Sequence, residues 1–476
     1  MSNAFAREPS WDPRRFPPAP RAPRAVQTLR MLYDPQGYGL ALREQLGPVF
    51  SLRAHPYRAA LVCAADLGAN REVLTDHERF VGGHGAALLR PAVGAGSLIC
   101  TPPPRHLRHR KLLLPPFHGE RVTRWAERMR ELVRAGLPDL LTGDGVAVRP
   151  WAQRLALDVI LRVVFGLTDP GRVAVFRRAL TAFVAMDNVA VLFLPRPLQR
   201  DLGPLSPGGR FARLRATVRD LTRTEIALRR AESGSTGGAG RVGGTAGRGG
   251  GVAGRSARPG RAARDDVLSM LLDARDEHGA GLDDEQVLDE LTGLLLAGYE
   301  TTATTIAWTL HLLAHHPAER DALIADLDAG SDRLLKATVR ESGRLRPAVY
   351  YAIRTAARDT ELAGRPVPRH AFVAALFPPV HLDRRLWPQP HAFRPARHLD
   401  ADPAAYSLTP FGGGVRRCIG VPLAQLEVET VLREVLARAV PAPAGPPEPA
   451  RLLSVTLVPA RGARVRFHRR LRPGGR

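Results

Sequence analysis

The stretch Phe411-Gly-Gly-Gly-Val-Arg-Arg-Cys-Ile-Gly420 decides how this 476-residue chain is read. Three consecutive glycines, Gly412 to Gly414, free the backbone for positive φ and for close approach to a large flat group. Gly420 follows Cys418 by two residues, and Pro422 then opens a run with helical spacing: Leu423, Leu426, Val431, Val435 and Leu436. Cys418 therefore stands just before a helix N-terminus. Unpaired N–H groups and the positive helix end favour a thiolate there. A thiolate in a glycine-lined turn suits an axial metal ligand, and a Cys thiolate is one of the ligands that holds haem iron.

Upstream, Asp283 is a good N-cap, with Gln286 three residues on. Apolar residues recur at Val287, Leu288, Leu291, Leu294 and Leu295, and no proline interrupts before Pro317. That predicts a helix of roughly 30 residues, about 45 Å long. Its centre, Ala297-Gly-Tyr-Glu-Thr-Thr302, is poor helix interior. Gly298 leaves room beside the helix, and a Thr hydroxyl can bond back to a carbonyl and open it locally. A groove for a diatomic ligand and water is the expected result. Glu341 and Arg344 lie at i,i+3 and can pair on a helix, although Gly343 between them is unusual there. His106 and Arg110 lie four apart on a helical face, a cation cluster suited to a pair of carboxylates.

The five fixed positions Phe411, Gly414, Arg416, Cys418 and Gly420 resemble the haem-binding loop of the cytochrome P450 family, Phe-x-x-Gly-x-Arg-x-Cys-x-Gly. The stretch from Ala297 to Thr302 resembles that family's oxygen-activation motif. Glu341-x-x-Arg344 resembles its Glu-x-x-Arg, with Arg397 as the third partner. His106-x-x-x-Arg110 resembles its third-helix motif, and Arg354, opening an expected strand, resembles another haem-propionate ligand.

The resemblance runs from about residue 25 to the tail. It implies a mainly α fold with small β-sheets, a single haem-enclosing domain spanning residues 25–476, and haem b (iron protoporphyrin IX) between the long helix and the Cys418 loop. It assigns Cys418 as axial thiolate and Glu300 and Thr301 to proton delivery. His106, Arg110, Arg354 and Arg416 become propionate contacts, and Glu341, Arg344 and Arg397 a scaffold for the loop. The implied reaction is insertion of one oxygen atom from O₂ into a small apolar organic substrate. No flavin or iron–sulfur motif is present, so electrons are expected from NAD(P)H through a separate ferredoxin reductase and ferredoxin. A peroxide-driven or isomerase relative and a non-enzymatic haem sensor or carrier are the rivals; the Glu300-Thr301 pair speaks against both.

Composition narrows the context. A hydrophobic content of 44% supports a large core. Three cysteines (63, 100 and 418) form no disulfide framework, which predicts a reducing cytoplasm. Residues 1–30 hold no apolar run, so neither a signal peptide nor a membrane anchor is expected. The net charge of +23 suggests nucleic acid. Yet only Lys111 and Lys336 among the 69 basic residues are lysines, and the arginines are spread along the chain. This pattern looks like coding bias and predicts no nucleic-acid partner. Arg105, Arg108 and Lys111 are expected to form part of a docking surface for an acidic redox protein. A monomer is expected.

Local patterns complete the prediction. Residues 1–24 read as a loose Pro-rich arm, 25–46 as a helix, 49–53 and 59–62 as strands, and 67–75 as a helix. Residues 81–99 read as a Gly-rich functional loop, which in the resembled family covers the pocket. Residues 151–167 form the clearest helix of a helical region, 120–228. Residues 183–194 resemble a lid over a substrate channel. Residues 233–260 are low-complexity and predict a disordered Gly/Arg-rich insert. A helix follows over 265–274. Pro347 should turn the chain past the pocket, where Tyr350 or Tyr351 could meet substrate. Residues 441–450 read as a Pro-rich connector. Residues 452–458 and 464–467 read as the arms of a hairpin.

Overall fold

The computed structural model describes residues 8–117, 120–184, 191, 196–203, 205–235, 265–400 and 402–470. Helices dominate, with small sheets at the periphery. The helix Asp284–His315 runs for 32 residues through the middle. Asp283 Oδ1 accepts the Gln286 N–H at 2.8 Å, and the Gln286 side chain returns the bond at 3.1 Å, so the expected capping box is complete. Apolar side chains on nearly all faces, from Val287 to Leu313, put this helix between the two largest hydrophobic clusters. Its neighbours include Val148–Val159, which continues into a π turn at Ile160–Val164, and the C-terminal helix Val421–Leu436.

A five-stranded mixed sheet forms the other half of the scaffold. Val49–Leu52 pairs antiparallel with Leu61–Ala64, which runs parallel to Phe372–Leu376. That strand pairs antiparallel with Tyr351–Ala356, which takes Phe80–Val81 at the edge. Arg354 lies inside Tyr351–Ala356, opposite Val373, so the sheet fixes its height.

Several expectations need correction. The helix expected over 25–46 is two helices, Arg24–Tyr33 and Pro35–Leu46. Pro35 disfavours helical geometry at Asp34, whose carboxylate instead caps the second helix through the Gly37 N–H at 3.0 Å. The arm 1–24 is not loose where it is described. Phe16 is buried, the Pro17 carbonyl accepts the Ser51 hydroxyl, and Glu8 accepts the N–H groups of Arg58 and Ala59.

The expected hairpin between 452–458 and 464–467 is not formed. Ala450–Leu453 pairs with Thr456–Pro459 around Ser454, and Arg464–Arg469 pairs with Ala439–Pro443. The supposed connector thus holds an edge strand. Pro441 and Pro443 are two apart, so both missing N–H groups fall on the unpaired side. The helix over 67–75 lies where expected, and that over 265–274 shortens to Val267–Asp273. Of the expected lid, Phe183 and Val184 close the helix Pro170–Val184 and Val191 is buried; the remainder lies outside the described residues. Of the low-complexity segment 233–260, residues 233–235 belong to the helix Pro207–Ser235 and the remainder lies outside the described residues.

Candidate active site

The loop that carries Cys418 is built on glycine. Gly412 and Gly414 adopt φ values of 71° and 64°, where a side chain is strained, whereas Gly413 is extended. A Cβ on Gly414 would stand 2.1 Å from the Leu74 carbonyl oxygen, so the loop lies directly on the helix Leu67–Thr75. The Cys418 N–H donates to the Phe411 carbonyl at 3.0 Å, closing the turn immediately before Val421–Leu436. Cys418 is accessible. Burial by the surrounding protein still pushes its thiol pKa up, against the Gly420 N–H and the charges of Arg110 and Arg417. Protein mass around an accessible side chain means that the thiol faces an internal chamber. The helix end alone does not make it a thiolate.

The middle of the long helix also opens to a chamber. Ala297, Thr301 and Thr305 are accessible, four residues apart, on a helix that is otherwise buried nearly throughout. The Thr301 hydroxyl donates to the Ala297 carbonyl at 2.6 Å, and Thr305 to the Thr301 carbonyl at 2.9 Å. The back-bonding expected from sequence is present, but the helix stays unbroken. Room beside Gly298 is used by Ile160, whose Cδ1 would lie 3.5 Å from an added Cβ. Glu300 points elsewhere: Arg149 binds it through Nη2 at 2.5 Å, Gln153 at 2.8 Å and Thr304 at 3.1 Å. The structure therefore separates the carboxylate of Glu300 from the hydroxyl of Thr301. Arg149 and Gln153 were missed in the sequence because helix pairing across 150 residues leaves no local pattern.

Three arginines, Arg110, Arg354 and Arg416, converge beside the loop with His106. The His106 pKa is held down at about 3, first by burial and then by the charges of Arg416, Arg110 and Arg354. Burial likewise lowers Arg354 and Arg416 to about 10, with Arg354 and Arg110 adding repulsion on Arg416. Arg416 donates to the carbonyls of Leu98 and Thr101, at 3.2 and 2.6 Å, which ties the Gly-rich segment to the cysteine loop. Asp289 and Glu290 hold the same segment from the long helix through the N–H groups of Gly96 and Leu98. Arg354 Nε is buried without a partner.

Beneath the loop, Glu341 forms a closed ionic network. It accepts from Arg344 Nε and Nη2 at 2.8 and 2.9 Å, from Arg397 Nε at 3.0 Å and from the Arg394 N–H at 2.9 Å. His398 Nε2 lies 2.9 Å away as a further member, unread in the sequence although it follows Arg397. Arg344 also donates to the His381 carbonyl, and His381 Nε2 accepts the Thr409 N–H at 2.9 Å. That bond leaves the His381 proton on Nδ1, facing the Arg344 carbonyl at 3.2 Å. The network thereby reaches the segment that leads into Phe411. At Gly343 an added Cβ would make only ordinary contact with Pro410, at 3.4 Å, so the helix tolerates this position without needing glycine.

The sequence expectation for the tyrosines fails. Tyr350 is buried with its hydroxyl on the Pro35 carbonyl, and Tyr351 meets the Tyr57 hydroxyl at 3.3 Å, so both phenols face protein partners. Of the expected docking cations, Arg108 pairs with Asp276 at 2.6 Å and Lys111 with Glu277 at 3.4 Å, which neutralises much of that face.

A family model for cytochrome P450 matches residues 17–449. The chain is 32% identical to cytochrome P450 137 of Mycobacterium tuberculosis, over 98% of this chain and 94% of that one. It is 32% identical to cytochrome P450 135B1 of Mycobacterium bovis, over 95% and 91%. Among solved structures, the cytochrome P450DA haem domain carrying three substitutions superimposes with a TM-score of 0.78 at 24% identity, covering 95% of this chain and 98% of that one. The retinoic-acid-bound cyanobacterial CYP120A1 does so with 0.76 at 21%, covering 95% and 99%. Among the described residues no helix is long and apolar enough to cross a membrane. The chain belongs to the cytochrome P450 family, whose members are in general haem-thiolate monooxygenases.

Proposed function

We propose that the chain inserts one oxygen atom of O₂ into a small apolar organic substrate, using haem b and electrons passed from NAD(P)H by a ferredoxin reductase and a ferredoxin. The observation that carries this reading is the cluster of His106, Arg110, Arg354 and Arg416. Each is buried or half-buried, the charges bearing on His106 are all cationic, and Arg354 retains an unpartnered Nε. A dianion between them would offset both the repulsion and the unmet donor, and haem presents two propionates. The residues fit that group: cations for its carboxylates, an accessible Cys418 for its iron, and Thr301 on a helix face open to the chamber.

Bound there, haem supplies the binding and reductive activation of dioxygen, with the thiolate lending electron density that favours O–O cleavage. The protein's own part is positioning and protons. Glycine at 412 and 414 lets Cys418 be presented from a rigid turn. The Glu341 network and His381 hold that turn from below. Thr301 keeps a hydroxyl at the chamber wall, its proton on the Ala297 carbonyl and its lone pairs free to accept from water. Glu300 reaches the chamber only when its carboxylate leaves Arg149, Gln153 and Thr304. The same reading makes residues 25–476 one haem-enclosing unit, with residues 233–260 as an insert, acting as a cytoplasmic monomer.

Thr301→Ala tests the proton role. The variant is expected to retain haem and bind substrate, while product formed per NAD(P)H consumed falls roughly tenfold or more and hydrogen peroxide rises. Unchanged coupling between NAD(P)H consumption and product would remove Thr301 from proton delivery.

A further inference from the structure

Residues 94–101 are tied to both walls of the chamber. The carbonyls of Leu98 and Thr101 accept from Arg416 beside the cysteine loop, and the N–H groups of Gly96 and Leu98 donate to Asp289 and Glu290 on the long helix. A strap fastened to both walls closes the side of the chamber between them. It lies directly on the long helix. An added Cβ on Gly94, whose φ is 89°, would collide with the Asp289 carboxylate, and one on Gly293 with the Ser97 hydroxyl.

A third element reaches the same fastening. Arg215, Arg219 and Arg223 stand four residues apart on one face of Pro207–Ser235, and Glu285 and Asp289 stand four apart on Asp284–His315. Arg219 joins both acids: Nη1 donates to Asp289 Oδ1 and Nη2 to Glu285 Oε2, each at 2.6 Å. Arg223 Nε donates to Glu285 Oε1 at 2.9 Å. Arg215 Nη1 donates to the Pro91 carbonyl at 2.9 Å, just ahead of the strap. Asp289 thus divides its oxygens, Oδ1 for Arg219 and Oδ2 for the Gly96 N–H at 2.9 Å.

The rungs of this ladder differ in their access to water. The side chains of Arg219 and Asp289 are 18% and 12% exposed, against 60% for Glu285 and 49% for Arg223. The inner pair is a charge-assisted bond that fixes the Asp289 carboxylate against the strap, whereas the outer rungs are screened by salt and exchange readily with water. We propose that the ladder is an ionic latch on the strap. When Arg219 releases Asp289, the carboxylate turns toward water, Gly96 loses its fixed acceptor, and residues 94–101 open the chamber to ligands too bulky to pass while it is closed. On the reading of the chamber as a haem pocket, the latch makes entry of bulky substrate depend on ionic strength.

Hydrogen–deuterium exchange reads the latch whether or not haem is bound. Arg219→Gln is expected to speed exchange of the Gly96 amide roughly tenfold; unchanged exchange overturns the latch. The consequence for entry is read by stopped-flow mixing of the haem-loaded protein with 4-phenylimidazole, followed at the Soret band, with carbon monoxide as the small ligand. A latch changes passage and not the site. Arg219→Gln should therefore raise the association and dissociation rates of 4-phenylimidazole together, each by roughly tenfold, with Kd kept within about twofold and carbon monoxide association unaltered. Raising salt from about 0.05 to about 0.5 M should speed entry of 4-phenylimidazole in the wild type and much less in the variant. Glu285→Gln, at an exposed position, should raise both rates roughly two- to threefold and decides the matter if Arg219→Gln does not fold. Unchanged rates, a shifted Kd without faster passage, an equal acceleration of carbon monoxide, or the same salt response in both proteins overturns the proposal. Failure to take up haem would count against the function proposed above and leave the exchange result to decide the latch.

Discussion

Glu341→Gln is expected to cost the folded protein about 3 kcal/mol or more and to sharply reduce haem incorporation. The carboxylate has no exposed surface and neither does the guanidinium of Arg344 that it binds. Burial opposes its ionisation, but hydrogen bonds from Arg344 and His398 and the charge of Arg344 overcome this and bring its pKa down to about 2. An amide of the same shape keeps one acceptor, removes the charge, and leaves Arg344 as an uncompensated buried cation. A domain stabilised by about 5–15 kcal/mol gives up a large part of that. The loss should also spread. Arg344 holds His381, and His381 holds the Thr409 N–H, so the cysteine loop loses its support together with the helix. Urea unfolding and the haem-to-protein ratio are the readouts; an unchanged midpoint with full haem content would contradict the scaffold role.

The same group sets an acid limit. Its folded pKa lies below the ordinary 4.5, so its contribution is complete above that value and disappears as pH falls toward about 2. The contribution lost across that window is about 3 kcal/mol. Stability measured against pH should therefore fall steeply below about 4.5 in the wild type and less steeply in Glu341→Gln. Parallel curves would mean that other carboxylates govern the acid transition.

Local chemistry was legible in the sequence wherever a short stretch carried the whole reason. The capping box at Asp283, the helix over 67–75 and the cysteine turn each needed only neighbouring residues. The pairing of Glu341 with Arg344 was legible through its i,i+3 spacing, and that with Arg397 only through the resemblance to the family. What escaped was set by contacts between distant segments. Nothing near Glu300 announces Arg149, and only the packing of Val148–Val159 against the long helix turns that carboxylate away from Thr301. The edge strand Ala439–Pro443 was hidden by prolines that disfavour strands everywhere but at an open edge. Arg108 and Lys111 looked free because Asp276 and Glu277 arrive from far along the chain.

Cys418→Ser is expected to have the largest effect on activity. The residue sits in a turn whose backbone is set by Gly412, Gly414 and the Phe411 carbonyl, so serine leaves the fold in place and exchanges a sulfur for a much poorer iron ligand. Monooxygenation should fall below detection, since the electron-donating thiolate is gone, while the Glu341 network and the cation cluster remain intact. An active Cys418→Ser protein would require a different ligand.

The most direct measurement is the absorption spectrum of the reduced, carbon monoxide-bound protein, for the wild type and for Cys418→Ser. A strongly red-shifted Soret band in the wild type, replaced in the variant by an ordinary haem–CO band or by loss of haem, is the predicted result. An ordinary band in the wild type, or a red-shifted band that survives the substitution, would contradict Cys418 as the axial thiolate.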